Sequence, residues 1–514
     1  MRRLLLQVLT TCVAFAAAPA DAAWQRASSK HFIIYSDEKP NDLRWFAERL
    51  ERFDSAVRNV RDMGDPTIGD GNRLTVFVVR NAEEVQKLIR DSTGYVRGFY
   101  LPRASGSVAF VPRQSGSGSE WDLDADTVFF HEYAHHLMMQ DLNSPAPAWL
   151  VEGFAEFMST ASFEKDGSVG LGLPAKHRAY SLVGGFKLPI ETILSGSMQK
   201  RGTEEQSSLY ARGWLLAHYL TFEPSRRGQL EKYLDGIAKG VDPVQSARAA
   251  FGDLRQLDRE LDRYLERPRL PIIKVSGNVL KTGPIDVQPL SPGGAVVIRL
   301  LAQSKRGVNK QAAEPLAGRV RAVEAKYLGD KLVELTLAEA ELDAGHADAA
   351  EAAADRALKA DPKSTEAMID KGRAVAARAE KIEGPARHAA FEDARRLFIA
   401  ANKLDTEDPE PLMRFYRTYL MEHVRPTENA VAALHYASEL APQDKGLRMM
   451  SGARYLADGQ LKEARRALLP IAYDPHGGTL ATVASAMIDK IDHGDAKGAL
   501  AGAAPQPADD STPN

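Results

Sequence analysis

The chain has 514 residues, more than one ordinary core organises, so two or three domains are expected. A hydrophobic content of 44% and a charged content of 26% are those of a globular protein, and a net charge of −3 with no basic run gives no reason to expect a nucleic-acid partner. The lone cysteine, Cys12, leaves no disulfide framework to consider.

At the start, "MRR" is a short basic stretch and "LLLQVLTTCVAFAAA" an apolar one, too short to span a bilayer comfortably. Ala20-Asp21-Ala22 has the small–x–small form of a cleavage site. Residues 1–22 therefore read as a secretory signal peptide, with an N-terminal anchor as the competing reading. The mature chain would be exported to the periplasm without stable membrane insertion. Cysteine catalysis goes with the leader, because Cys12 lies inside it.

Residues 23–267 are expected to form one α+β domain. "HFIIYS" (His31–Ser36) and "RLTVFVVR" (Arg73–Arg80) predict strands separated by a long amphipathic helix. "GYVRGFYLP" and "SGSVAFVPR" predict two more strands, the second a candidate edge. From Asp124 to about Leu265 the pattern is mostly helical, broken by a hairpin around Asp166-Gly167. Strands followed by a helical run predict a small mixed sheet packed by helices.

Residues 268–308 are rich in Pro and Gly with short β-branched runs, and predict an extended connector or small β element. Over 309–493 an Ala-rich theme recurs. Ala350, Ala357 and Pro362 have the same spacing as Ala430, Ala437 and Pro442. Gly459, Ala464 and Leu468 repeat it, and Ala394, Phe398 and Ala401 form a looser copy. This resembles tetratricopeptide repeats, which implies an all-α solenoid that binds a protein partner; a generic Ala-rich bundle is the alternative. Residues 494–514 read as a disordered tail.

The chemistry concentrates in "FFHEYAHHLMM" (Phe129–Met139). On a helix, His131 and His135 stand one turn apart and project from one largely apolar face. Buried imidazoles need partners, and neutral imidazole is a good zinc ligand. Glu132 is placed to act on a metal-bound water. A chance HExxH in a chain of this kind has odds of roughly 2%, so a second signal is needed to displace a plain core helix. "WLVEGFAEF" (Trp149–Phe157) supplies it. Glu152 and Glu156 are also one turn apart among apolar residues, where two carboxylates require a cation or donors. Glu152 would complete a His₂Glu zinc site, and Glu156 would orient a zinc histidine through its other ring nitrogen.

Together these motifs resemble the gluzincin metallopeptidases, the superfamily that includes thermolysin and the aminopeptidase N type. The layout as a whole is similar to that of a family of exported bacterial proteins with a small sheet, HExxH and tetratricopeptide repeats. The resemblance implies a zincin domain in which His131, His135 and Glu152 bind zinc and Glu132 is the general base. It also implies an oxyanion donor from a later helix. Tyr210, His218 and Tyr219 of "SSLYARGWLLAHYL" are the candidates, Tyr210 the preferred one. His136 points off the ligand face and carries no assigned role. Two departures stand out. Sixteen residues separate His135 from Glu152, fewer than in the named relatives, and no GxMEN string lies upstream, which favours an endopeptidase or a narrow substrate over an aminopeptidase. The expected activity is hydrolysis of peptide or protein substrates. The alternatives are another zinc hydrolysis, such as deacylation, or a scaffold whose zinc is structural.

Overall fold

The computed structural model describes residues 24–89, 98–114, 124–141, 146–196, 202–474 and 477–502. The leader over 1–22, the Gly/Ser loop 115–123 and the end of the tail lie outside the described residues.

The first unit opens with β1 (Gln25–Ser28), β2 (Phe32–Ser36), α1 (Pro40–Arg61), β3 (Leu74–Asn81), α2 (Ala82–Ile89), β4 (Phe99–Leu101) and β5 (Val108–Gln114). With a later strand, β9, they make a six-stranded mixed sheet in the order β4-β5-β3-β2-β1-β9. The β2–β3 and β3–β5 pairs are parallel, the others antiparallel. β3 is buried along most of its length, as a parallel central strand covered on both faces should be. "SGSVAFVPR" corresponds to β5, which lies between β4 and β3, so it is not the edge strand expected. β4 takes the edge, because the Gly/Ser turn before β5 folds "FYL" back onto it.

The helices α3 (Ala125–Asp141) and α4 (Ala148–Ser159) follow, then the hairpin β6 (Ser162–Phe163) and β7 (Val169–Leu171). Next come α5 (Ala179–Val183), α6 (Ile190–Leu194), α7 (Thr203–Phe222), α8 (Gln229–Ala238), α9 (Pro243–Phe251) and α10 (Leu254–Leu265). α1 and α3 cover one face of the sheet, where Phe32, Ile34, Leu50, Phe53, Phe129 and Tyr133 share a core.

The connector expected over 268–308 is part strand, part helix. β8 (Ile273–Val275) extends the hairpin sheet and β9 (Asp286–Pro289) pairs with β1. Pro292–Arg306 is not extended but forms α11. Ser291 caps it by accepting the Gly294 N–H, and Pro292 occupies the first turn, where its missing N–H costs nothing. Its face of Ile298, Leu301 and Ala302 packs on Tyr35, Phe77 and Phe110, covering the second face of the sheet.

From there the chain is a stack of helical hairpins. α12 (Lys310–Glu324), α13 (Lys331–Ala344), α14 (Ala347–Ala360), α15 (Thr365–Ala379), α16 (Pro385–Leu404) and α17 (Pro409–Glu422) are followed by α18 (Glu428–Leu440), α19 (Lys445–Ala457), α20 (Leu461–Ala472), α21 (Thr479–Asp492) and α22 (Ala496–Gly502). The recurrent small residues Ala350, Ala357, Ala394, Ala401, Ala430, Ala437 and Ala464 are fully buried, which lets paired helices approach closely. α22 falls inside the segment expected to be a disordered tail. Its Ala499 is buried against α19–α21, so apolar contact overrides the low-complexity composition there. Among the described residues no helix is long and apolar enough to cross a membrane.

Inter-helix turns of the repeats touch loops of the sheet domain. The Asp70 N–H donates to Asp405 at 2.7 Å, the Asn72 amide to the Leu440 carbonyl at 2.8 Å, and the Ala104 N–H to Asp444 at 2.8 Å.

Candidate metal centre

α3 buries Phe129, Phe130, Tyr133, Ala134 and Leu137 against α1 and the sheet, and this packing fixes which way the rest of the helix faces. The opposite stripe carries His131 and His135, whose Nε2 atoms lie 3.1 Å apart. α4 brings up Glu152, with Oε2 3.3 Å from His131 Nε2 and 3.6 Å from His135 Nε2. The edge of a tetrahedron of ligands held about 2.0–2.1 Å from a zinc ion is about 3.3 Å, so this triangle fits that ion's size. Glu152 is only 1% exposed at its side chain, and His131 and His135 are 14% and 11% exposed. The base of the site is therefore sealed, and access comes from the histidine side. Among the described residues no other His, Cys, Asp and Glu group meets the same proximity.

The charges around the triangle favour positive charge on its imidazoles. Burial alone would lower the His131 pKa, but its bonds to Glu152 and Glu156 outweigh that and push it up to about 10. Burial would raise Glu152, yet His135 and His131 hold it well below the usual carboxylate range. Two buried carboxylates around two imidazoles thus stabilise positive charge where the three side chains converge.

Glu156 stands one turn beyond Glu152 and accepts from several donors at once. His131 Nδ1 lies 3.4 Å away, His177 Nε2 3.0 Å, and the Arg178 guanidinium donates at 2.6 and 3.2 Å. With its Nδ1 proton facing Glu156, a neutral His131 ring would keep its Nε2 lone pair for an ion shared with Glu152. Glu156 therefore lies within reach of the His131 ring nitrogen it is expected to orient. Spacing in the sequence does not single out His177 or Arg178. They lie on a short 3₁₀ turn after the β6–β7 hairpin, and nothing periodic links "KHR" to the helix it touches.

Tyr210 on α7 faces the same space. Its ring centroid lies 6.0 Å from that of His131, and the Arg178 guanidinium sits over it at 5.1 Å. Burial first, and then the charges of Glu152 and Glu132, raise its pKa well above the ordinary phenol value, so the hydroxyl remains a donor at neutral pH. The approach of α7 to α4 is set by two glycines. A Cβ on Gly153 would lie 2.3 Å from the Gly213 carbonyl oxygen, and one on Gly213 2.7 Å from the Trp149 carbonyl oxygen. The other two candidates face elsewhere. His218 is buried against the Tyr264 hydroxyl at 2.9 Å and the Gly172 carbonyl at 3.1 Å, and the Tyr219 hydroxyl donates to Glu260 at 3.0 Å. Glu132 is half-buried, next to His131, and near enough to Tyr100 and Tyr210 for its charge to bear on both.

No family model matches the chain, and no curated protein matches it. Among solved structures it is similar to a thermophilic TPR protein of Thermus thermophilus, at 16% identity and a TM-score of 0.32, covering 38% of this chain and 96% of that one.

Proposed function

We propose that the chain is a zinc-dependent peptidase with a helical-repeat region that engages a protein partner. The observation that carries this reading is the triangle of His131 Nε2, His135 Nε2 and Glu152 Oε2, with edges of 3.1, 3.3 and 3.6 Å and Glu132 one residue from its first corner. These three side chains would hold the ion, which when bound polarises a scissile carbonyl and acidifies a water. Glu132 would take a proton from the attacking water and deliver it to the leaving amine. The Tyr210 hydroxyl donates to the oxygen that becomes negative as the carbonyl is attacked. Glu156 keeps His131 in the tautomer that presents Nε2, and His177 with Arg178 keeps Glu156 ionised in a buried setting. β4, the terminal strand of the described sheet and packed beside α3, is placed to pair with an extended peptide. The leader-like segment 1–22 would deliver the chain to the periplasm, where peptide or protein substrates meet it.

A scaffold in which the repeats matter most and the metal is structural is the competing reading, supported by the length of the helical stack. Purified full-length chain should contain one zinc per molecule and cleave an unfolded protein such as casein. Glu132→Gln should keep the zinc and lose cleavage by on the order of a thousandfold or more. Equal zinc and equal cleavage in the variant would leave the scaffold, and no zinc in either would remove the metal centre altogether.

A further inference from the structure

His136 contributes nothing to the metal triangle, yet it is buried at 6% exposure and bonded at both ring nitrogens. The direction of those bonds can be fixed from one end. Arg58 is a pure donor, pinned to Asp54 by its Nε at 2.9 and 3.0 Å, and its NH2 nitrogen points at Gln140 Oε1 at 2.9 Å. The Gln140 amide nitrogen must then face His136 Nε2, at 3.0 Å, and donate to it. His136 Nε2 is therefore the acceptor and Nδ1 carries the proton, donated to the Tyr100 oxygen at 2.7 Å. Tyr100 has its own proton left for Ser107 Oγ, at 3.4 Å, and Ser107 donates to the Arg103 carbonyl at 3.3 Å. Gln443 Nε2 donates to the same Ser107 oxygen at 3.3 Å.

Ser107 and Gln443 are 1% and 2% exposed, so water does not substitute for these partners. Gln443 belongs to the turn between α18 and α19, more than 300 residues away from His136 in the chain. The chain of bonds thus runs donor to acceptor from Arg58 on α1, through the last turns of α3, to Tyr100 on the edge strand β4 and on to Ser107, where Gln443 of the repeats donates into the same oxygen. It meets α3 at the residue next to His135.

We propose that Gln443 and Tyr100 are positioning residues for α3. The docked repeat turn fixes Ser107, Ser107 fixes Tyr100, and Tyr100 fixes the ring orientation of His136, whose tautomer Gln140 sets, holding the helix that carries His131, Glu132 and His135. The bearing on turnover rests on the metallopeptidase reading, whereas the hydrogen-bond relay does not.

The test uses the full-length chain with ¹⁵N-labelled histidine. In metal-free protein His136 should show the Nδ1–H tautomer. Tyr100→Phe should shift its ring nitrogens, and Gln443→Ala should shift them in the same direction by less. Asn72→Ala, which removes a docking bond outside the relay, should leave them in place. With Co²⁺ in place of zinc, Tyr100→Phe should change the visible absorption of the ion and lower kcat on the order of tenfold with KM little changed. The double variant Tyr100→Phe/Gln443→Ala should be no worse than Tyr100→Phe alone, since one acts through the other. An Nε2–H tautomer in the wild type, an unmoved His136 in Gln443→Ala, or an equal shift in Asn72→Ala would each overturn the relay. If the chain binds neither zinc nor Co²⁺, the metallopeptidase reading fails while the His136 shifts still decide the relay.

Discussion

Single residues divide by how far their partners lie along the chain. His131, His135, Glu152 and Glu156 are legible because each pair obeys helical spacing, and paired polar residues on two otherwise apolar helices point to a shared ligand. His177 and Arg178 are illegible, because their contact with Glu156 depends on where a hairpin returns the chain. Tyr210 lies between these cases, being one of three polar ring residues on α7, of which only the packing of α7 on α4 selects it. That selection has a consequence. Tyr210→Phe should retain zinc and substrate affinity but lower kcat by about 10²–10³, the usual range for one oxyanion donor. Tyr219→Phe, bonded to Glu260 instead, should leave kcat within about twofold of the wild type. Steady-state kinetics on both variants checks this, and similar losses in the two would remove Tyr210 from the chemistry. Glu156→Gln should weaken zinc binding by on the order of 10–100-fold, because the His131 ring loses its ionised acceptor. Competition against a chelator of known affinity measures that directly.

Elements show where periodicity is a sufficient guide and where it is not. α3 and α4 carry clear motifs, and α3 begins one residue after Asp124, where the helical pattern starts in the sequence. α11 is hidden by its own first turn, because Pro292-Gly293-Gly294 is turn chemistry in most settings. Gly293 is nonetheless required there, since a Cβ would lie 2.7 Å from the Asp330 carboxylate and 2.9 Å from the Tyr327 side chain. The edge position of β4 is invisible for a different reason. Strand order is a property of the sheet, and three residues of "FYL" say nothing of their neighbours. The contact between α4 and α7 has the sharpest energetic edge. Gly153→Ala places a methyl group 2.3 Å from a carbonyl oxygen on a rigid helix, so the helices must separate. We expect a loss of about 1–3 kcal/mol in stability, and kcat should fall together with it because Tyr210 rides on α7. Denaturant unfolding and kinetics on the same sample test both, and an unchanged midpoint would mean that the helices move apart freely.

The whole molecule couples a sheet domain to a helical stack, and that junction contains its own titratable group. Asp408 caps α17 by accepting the Glu410 N–H, and it is 2% exposed beneath the 69–72 loop of the sheet domain. Burial is the main reason its carboxyl is pushed up to about 8, and the nearby charges of Glu410 and Asp405 add to it. Asp370 in α15 is likewise pushed up to about 8, chiefly by burial. In the unfolded chain both titrate near 3.8. Between those values the folded chain keeps protons that the unfolded chain has lost. Stability contributed by these groups is therefore greatest at the acidic end and falls as pH rises, levelling off above about 8. The melting temperature should decline steadily from pH 6 to pH 8.5. Asp408→Asn keeps a capping side chain and removes the titration, so its decline should be shallower, with Asp370 and the likewise raised Asp343 contributing to what remains. Thermal unfolding of the two proteins across that range decides it. Parallel curves would mean that Asp408 is ionised in the folded chain, and the 69–72 loop would then have to be stabilised over a charged carboxylate instead of a neutral one.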